Sequence, residues 1–386
     1  MTDAPYILVD FGPDNRAQAF ARPLDLIVAR DPQEVPAAFA ALQAAKDAGH
    51  WLAGFASYEL GYVLEPKLAE RLPQDRRAPL LCFGVFDGPD EAATAVVLEK
   101  SSKDEPRARL SAPEPLWDGA TYGQAFDQVA EYIRSGDFYQ TNLTFPMRAK
   151  WSGTPEGLYG ALARVQPVNY GGIVNLGVGD AIVSRSPELF FRVDDTGRIS
   201  TRPMKGTVPR GKTEAEDAEL KAFLANDAKN RAENLMIVDL LRNDISRVAQ
   251  LGTVKVPELF TVESYATVHQ MTSLVTAQMR QDVDLFTLFS ALFPCGSITG
   301  APKIRAMEVI RDLEQGPRDI YCGSIGWIAP DGAAAFNVAI RTLSLAEDGT
   351  ARLNVGGGVV YDSTAPSEYE EALWKARYAT LLPPVW

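Results

Sequence analysis

Apolar positions along this chain change their spacing repeatedly, and each change marks an element. In "TYGQAFDQVAEYIRSGD" the residues Tyr122, Phe126, Val129 and Ile133 recur every three or four positions, which places them on one helical face, and Gly136 fits a C-cap. The same periodicity predicts helices at 33–48, about 214–243 (the longest periodic segment), 284–293, 302–314 and 366–381. Runs of branched and aromatic residues predict strands at 139–148, 172–176, 181–184 and 188–193, then near 252–256, 322–328, 335–344 and 351–360. The stretch "KSSKDEPRARLSAPEPLWDG" at 100–119 is rich in charge, proline and serine and reads as a connector, dividing residues 1–118 from 119–386. Strands arrive in consecutive groups with helices between the groups, the pattern of an α+β fold rather than a strict βαβ alternation.

Composition narrows the setting. The 386 residues are 46% hydrophobic and 23% charged, a globular composition with room for two ordinary domains or one large one. A net charge of −12 argues against nucleic acid or an anionic membrane as the main partner, although a locally positive site can still take a small anion. Cys82, Cys295 and Cys322 are too few and too scattered for a disulfide framework. With only His50 and His269 as histidines, zinc or other transition-metal catalysis is disfavoured. The opening "MTDAPYILVDF" lacks a basic region followed by an apolar run, and no stretch approaches ~18 apolar residues. The expectation is a soluble, reduced, cytoplasmic protein.

Two acidic spacings carry the most chemical information. "NRAENLMIVDLLRND" sets Asn230 and Glu233 at i, i+3, and "SEYEEALWKA" sets Glu368, Glu371 and Lys375 on one helical face. Acidic helix residues ordinarily form a solvated face, but apolar neighbours flank both sets. Carboxylates from two helices can hold a hard divalent cation, and Mg2+ is the natural choice without His or Cys. "PCGSITGAPKIRAME" lacks the spacing of a nucleotide phosphate loop; Gly296, Ser297, Thr299 and Gly300 form either a plain turn or an anion site before a helix opening near Pro302. Gly356, Gly357 and Gly358 read as a bulge or as bare backbone that a ligand approaches. Arg341 alternates with apolar neighbours in "FNVAIRTLSL", so its cation is expected to point inward toward a carboxylate. His269, among apolar residues, is a satisfied core residue or a catalytic one. Glu188 precedes Leu189, Phe190 and Phe191, surroundings that raise a carboxyl pKa and suit a general acid. Lys205, in "STRPMKGTVPRG", is either a solvated turn lysine or an amine put to use.

Taken in order, "FYQTNLT", "SRSPELFF", "RPMKGTVPRG", "RAENLMIVDLLRNDISRVAQLGTVKV", "TVHQMTSLV", "FPCGSITGAPKIRAMEVI", "YCGSIGW", "FNVAIRTL", "GGGVVYDS" and "EYEEALWKA" resemble the chorismate-utilising enzyme family over roughly residues 120–380. The resemblance implies one intertwined body of two large, mostly antiparallel sheets packed as a sandwich with helices outside. It implies chorismate as substrate and Mg2+ as cofactor, with Glu233 and Glu371 as ligands and Glu368 and Asn230 in support. Lys205 stands where members forming anthranilate, isochorismate or salicylate usually carry a small residue. It resembles instead the members that aminate chorismate to 4-amino-4-deoxychorismate for para-aminobenzoate and folate. In that reading Lys205 attacks C2 as the C4 hydroxyl leaves, with Glu188 as general acid. Ammonia then adds at C4 and expels the amine. No G-x-C-x-G elbow is visible, so the ammonia is expected from a glutamine amidotransferase partner.

Thr141 lies where isochorismate- and salicylate-forming members carry a base lysine. The resemblance assigns Lys375, Thr299 and the Gly296–Gly300 turn to the ring carboxylate. It assigns Tyr321, Arg341 and Gly356–Gly358 to the enolpyruvyl carboxylate, and His269 to the surroundings of the reacting ring. Formation of anthranilate, formation of isochorismate or salicylate, and a non-catalytic ligand-binding role are the alternatives. Members of the family also commonly pack an aromatic amino acid in the N-terminal region, for which "GFASYELGY" and "VQPVNYGG" are the candidate segments.

Overall fold

Alternation along the strands sends successive apolar side chains into different layers. In Tyr6–Val9, Tyr6 and Leu8 enter one core while Ile7 and Val9 enter another. In Trp51–Ala56, Leu52 and Ala56 part in the same way from Ala53 and Phe55. Strands apolar on both faces must be covered on both faces. The protein, a computed structural model describing residues 4–265 and 268–380, meets this need with two sheets packed together and helices outside.

Among the described residues each sheet has ten strands. The main path of the first runs Gly300–Ala301, Gln140–Ser152, Thr350–Val359, Thr342–Leu345, Ala181–Ser186, Tyr170–Asn175, Tyr6–Val9, Gln18–Ala21. The second runs Met204–Pro209, Val268–Gln278, Arg198–Thr201, Leu189–Val193, Ala334–Asn337, Ser324–Ile328, Trp51–Ala56, Leu81–Phe86, Asp25–Ala29. Ile7, Val9, Phe20, Phe55, Phe86 and Trp327 fill the space between the sheets, each such side chain contributing about 1.5–3 kcal/mol by burial. The outer faces are covered by separate helix-lined cores. The first 118 residues supply strands to both sheets, Tyr6–Val9 pairing with Tyr170–Asn175 and Trp51–Ala56 with Ser324–Ile328. Among the described residues no helix is long and apolar enough to cross a membrane.

Four departures from the expected elements bear on the site. The helix expected over 214–243 is two helices, Glu214–Asn226 and Ala228–Ser246. Asp227 breaks it: its backbone is extended and its carboxylate accepts the Asn230 N–H at 2.8 Å, capping the second helix. The strand expected over 335–344 belongs to both sheets, Ala334–Asn337 to one and Thr342–Leu345 to the other. The chain crosses between them through Arg341, held at φ 50°. The connector at 100–119 is not open, since Arg109–Leu110 and Glu114–Pro115 both pair with Gln140–Ser152. The helix expected at 366–381 is Ala365–Lys375 with a 3-10 turn to Thr380; residue 381 lies outside the described residues. In the two segments singled out for an aromatic ligand, Tyr58 and Tyr62 pack on each other with ring centroids 5.8 Å apart, and Tyr170 meets Phe11 at 5.6 Å.

Candidate active site

The edge strand Met204–Pro209 loses register with its neighbour between Met204 and Thr207, and Lys205 sits in that irregularity. Gly206 takes φ 87°, and a Cβ there would lie 2.8 Å from Asn230 Oδ1. Only glycine suits both the dihedral and the contact. That turn delivers Lys205 toward the end of Thr350–Val359, where a Cβ at Gly358 would stand 3.0 Å from Lys205 Nζ. Burial holds the Lys205 amine below the ordinary lysine range; Glu233, Glu188 and Glu371 oppose the shift and Lys375 adds to it. The motif that could have been a solvated turn therefore carries a desolvated amine.

Glu188 is fixed from both sides of its backbone, its N–H donating to Ser186 Oγ at 3.2 Å and its carbonyl accepting Val338 N–H at 3.0 Å. The residue is 6% exposed. Burial pushes its carboxyl up to about 7, against the Ser297 hydrogen bond and the attraction of Lys205. A carboxyl with this pKa is protonated in an appreciable fraction near neutrality, as a general acid must be.

The Ala365–Lys375 helix brings Glu368, Glu371 and Lys375 to the glycine run. Lys375 Nζ donates to Gly356 O at 2.9 Å and pairs with Glu371 Oε1 at 2.8 Å. A Cβ at Gly357 would lie 3.2 Å from Glu368 Oε2 and 3.3 Å from Lys375 Nζ. Glu368 accepts Ser363 Oγ at 2.6 Å; burial raises its pKa, Ser363 opposes and neighbouring Glu371 adds. Glu233 faces the same region from the Ala228–Ser246 helix, acting on the Lys205 amine. Among the described residues no three acidic, histidine or cysteine side chains are gathered closely enough to enclose a metal ion. The donors still suit Mg2+ in kind, since Glu233, Glu368 and Glu371 offer only hard oxygens and Glu371 pushes the Glu368 carboxyl up by like charge, against Lys375 and Lys205.

Other residues expected at the site divide into two groups. Arg341 is half-buried, and burial lowers its pKa; among the described residues it has no carboxylate partner, although one was expected. Its loop is hydrogen-bonded to that of Tyr321 through Cys322 N–H to Ala339 O at 3.0 Å. Tyr321 is buried beside Arg318 and Cys322. Thr299 and Gly300 serve the turn itself. Thr299 Oγ1 donates to the carbonyls of Cys295 and Gly296 at 3.1 and 3.2 Å, and Gly300 pairs with Thr141, where a Cβ would lie 2.7 Å from Ala306 Cβ. His269 is engaged elsewhere, with Nδ1 2.8 Å from Ser264 Oγ and Nε2 3.0 Å from Asp217 Oδ1.

Strand alternation reveals two residues that motif reading passed over. The side chain that "FYQTNLT" brings to Lys205 is that of Gln140, one position before Thr141: a Cβ at Gly358 would lie 2.6 Å from Gln140 Nε2. Gln140 is fully buried with neither amide atom hydrogen-bonded among the described residues, and Asn142 Oδ1 is likewise unmet. Polar atoms buried without partners are uncommon and mark places where a ligand or water completes the bonding. The signal was the i, i+2 spacing of two amides on a strand opposite three glycines.

The profile of the chorismate binding enzyme family matches residues 4–380. Aminodeoxychorismate synthase component 1 of Escherichia coli K12 is 41% identical over 342 residues, covering 83% of this chain and 74% of that protein. Anthranilate synthase component 1 3 of Haloarcula marismortui is 39% identical over 287 residues, 74% of this chain and 56% of that one. The crystal structure of anthranilate synthase component I from Streptococcus pneumoniae TIGR4 superposes with a TM-score of 0.77 at 25% identity, covering 98% of this chain and 93% of that one. With the two-sheet fold, the lysine turn and the glycine run in place, the chain belongs to the chorismate binding enzyme family.

Proposed function

We propose that this protein is component 1 of an aminodeoxychorismate synthase, converting chorismate and ammonia to 4-amino-4-deoxychorismate through a covalent Lys205 intermediate. The observation that carries the reading is the desolvated Lys205 amine between Glu188 and the Gly356–Gly358 run. A neutral amine is nucleophilic, and burial beside Lys375 lowers the Lys205 pKa and so favours that form. The Lys205 nitrogen attacks C2, both conjugated ring double bonds shift (C1=C2 to C1=C6, C5=C6 to C4=C5), and the C4 hydroxyl leaves as water with the proton of Glu188. Ammonia then attacks C4, both double bonds shift back, and the Lys205 nitrogen leaves C2. Ammonia adding to C4 on the face the hydroxyl left retains the configuration at that carbon.

Arg341, a half-buried cation without a protein carboxylate among the described residues, would meet the enolpyruvyl carboxylate, together with Tyr321 and the glycine backbone. Lys375 meets the ring carboxylate. Glu233, Glu368 and Glu371 would hold Mg2+, which when bound supplies positive charge against that carboxylate. A glutamine amidotransferase subunit would deliver the ammonia, as the designation "component 1" of the Escherichia coli relative accords with.

Anthranilate formation is the second reading, since the Haloarcula relative bears that name. Product analysis decides: chorismate, Mg2+ and ammonium are expected to give 4-amino-4-deoxychorismate without pyruvate, and EDTA to stop the reaction. Anthranilate with stoichiometric pyruvate would overturn the proposal.

A further inference from the structure

One oxygen of the candidate acid is already occupied. Ser297 Oγ donates to Glu188 Oε1 at 2.7 Å, and Cys295 Sγ lies 3.2 Å from Ser297 Oγ. All three residues are nearly sealed from water, at 6%, 6% and 3% exposure. A hydroxyl has one hydrogen, and that of Ser297 goes to Glu188. The thiol hydrogen then fills the second contact, so the row runs from Cys295 S–H to Ser297 O–H to Glu188 Oε1. The Gly296–Ile298 turn that holds Ser297 is itself clamped, by Thr299 Oγ1 donating to the carbonyls of Cys295 and Gly296. Besides these, the charged group acting on the Glu188 carboxyl is the Lys205 amine from the Met204–Pro209 strand.

We infer that Ser297 is a positioning residue for the amination chemistry: backed by the Cys295 thiol, it pins Oε1 of Glu188, directs the transferable proton to Oε2, and stabilises the carboxylate left behind. The inference rests on Glu188 being the acid of the proposed reaction. In the step concerned the O–H bond at Oε2 breaks and a new O–H bond forms on the C4 oxygen. That oxygen departs as water with the electron pair of its C–O bond, and the Ser297 hydrogen stays on Ser297. A hydrogen bond to a carboxylate is roughly twice as strong as one to a neutral carboxyl. The contribution of Ser297 therefore grows as the proton leaves, which is the condition for lowering a barrier rather than merely binding.

The test uses the purified chain as Ser297→Ala, Ser297→Thr and Cys295→Ala. Glu188 is titrated by its infrared carboxylic-acid band, assigned by the loss of that band in Glu188→Gln. In Ser297→Ala the titration is expected to move alkaline by about one pH unit, with kcat roughly tenfold lower and KM little changed. Ser297→Thr restores both, and Cys295→Ala gives a smaller shift of the same sign, which reads the same row should Ser297→Ala not fold. An unmoved band overturns the hydrogen-bonded row. A moved band with unchanged kcat overturns the positioning role. Full activity in Glu188→Gln is a failure of the underlying acid assignment, and it shows in that variant alone.

Discussion

Lys205 and Lys375 bring their amines to adjacent glycines of one strand: a Cβ at Gly358 would lie 3.0 Å from Lys205 Nζ, and one at Gly357 3.3 Å from Lys375 Nζ. Lys375 is paired with Glu371 and donates to Gly356 O, while burial first, and Lys375 after it, lower the pKa of Lys205. Of the two, Lys205 is therefore the amine whose surroundings favour the neutral form that the proposed attack requires. Lys205→Ala is expected to cut 4-amino-4-deoxychorismate formation by about 10³-fold or more. Lys205→Arg is not expected to rescue it, because a guanidinium stays protonated. Chromatographic product analysis with chorismate, Mg2+ and ammonium reads both; an undiminished rate in Lys205→Ala removes the covalent route.

Glu188 sets the alkaline side of the pH profile. In the proposed reaction it works with its proton on, so the competent fraction of Glu188 falls as pH rises through about 7, the value to which burial brings its carboxyl. Lys205 works with its proton off, so the rate falls on the acid side as the amine takes one up. The profile is a bell. Glu188→Gln is expected to erase the alkaline limb and leave a rate about 10²–10⁴-fold lower.

The sequence shows the fold class plainly, because runs such as Tyr6–Val9 and Leu81–Phe86 are apolar on both faces and must lie in covered sheets. Periodicity does not say which sheet a strand joins, so the continuous apolar alternation over 335–344 conceals the crossing at Arg341. Nor does it weigh a single cap against nineteen helical residues, and so Asp227 passes unnoticed between two helices. At the site, Glu188, Lys205, Glu371 and Lys375 are legible as residue types in motifs. The phase of a strand is not, and one position separates buried Gln140 beside Lys205 from Thr141. His269 illustrates the converse: its motif is legible, but its partner Asp217 lies fifty-two positions away.

Arg341 is half-buried without a carboxylate partner among the described residues and sits at a φ of 50°, a conformation costing about 1 kcal/mol or more for a residue with a side chain. In the proposed reading a substrate carboxylate would give it the counter-charge that the described chain does not. Arg341→Ala is expected to raise KM for chorismate about 10–100-fold while the melting temperature of the ligand-free protein holds or rises. A drop in melting temperature with KM unchanged would show that the guanidinium serves the fold alone.

His269 joins Ser264 and Asp217, and Asp217 is in turn gripped by Arg210 at 2.7 and 2.8 Å and by Gly211 N–H at 2.8 Å. The network fastens the Glu214–Asn226 helix to the Val268–Gln278 strand, so the core reading of His269 is the one the contacts favour. His269→Gln is expected to destabilise by about 1–3 kcal/mol in denaturant unfolding and to reduce kcat less than about tenfold. A collapse of kcat in a variant of parental stability would return His269 to the chemistry.

Glu59 gives a stability signature independent of catalysis. It is fully buried, its Oε1 accepts Arg318 N–H at 2.7 Å, and its Oε2 has no partner among the described residues. Burial, then the nearby Asp319, push its carboxyl up to about 8, against about 4.3 for a free glutamate. A carboxyl whose pKa is raised by folding binds its proton more tightly in the folded state. Its contribution is complete below about pH 4.3 and is lost as pH rises toward 8. Glu59→Gln keeps an acceptor for the Arg318 N–H and removes the titration. The parent is expected to lose melting temperature between about pH 6 and pH 9 more steeply than Glu59→Gln, and at the upper end the variant should melt at least about 2 °C higher. Parallel curves across that range would mean that Glu59 is already compensated in the folded protein.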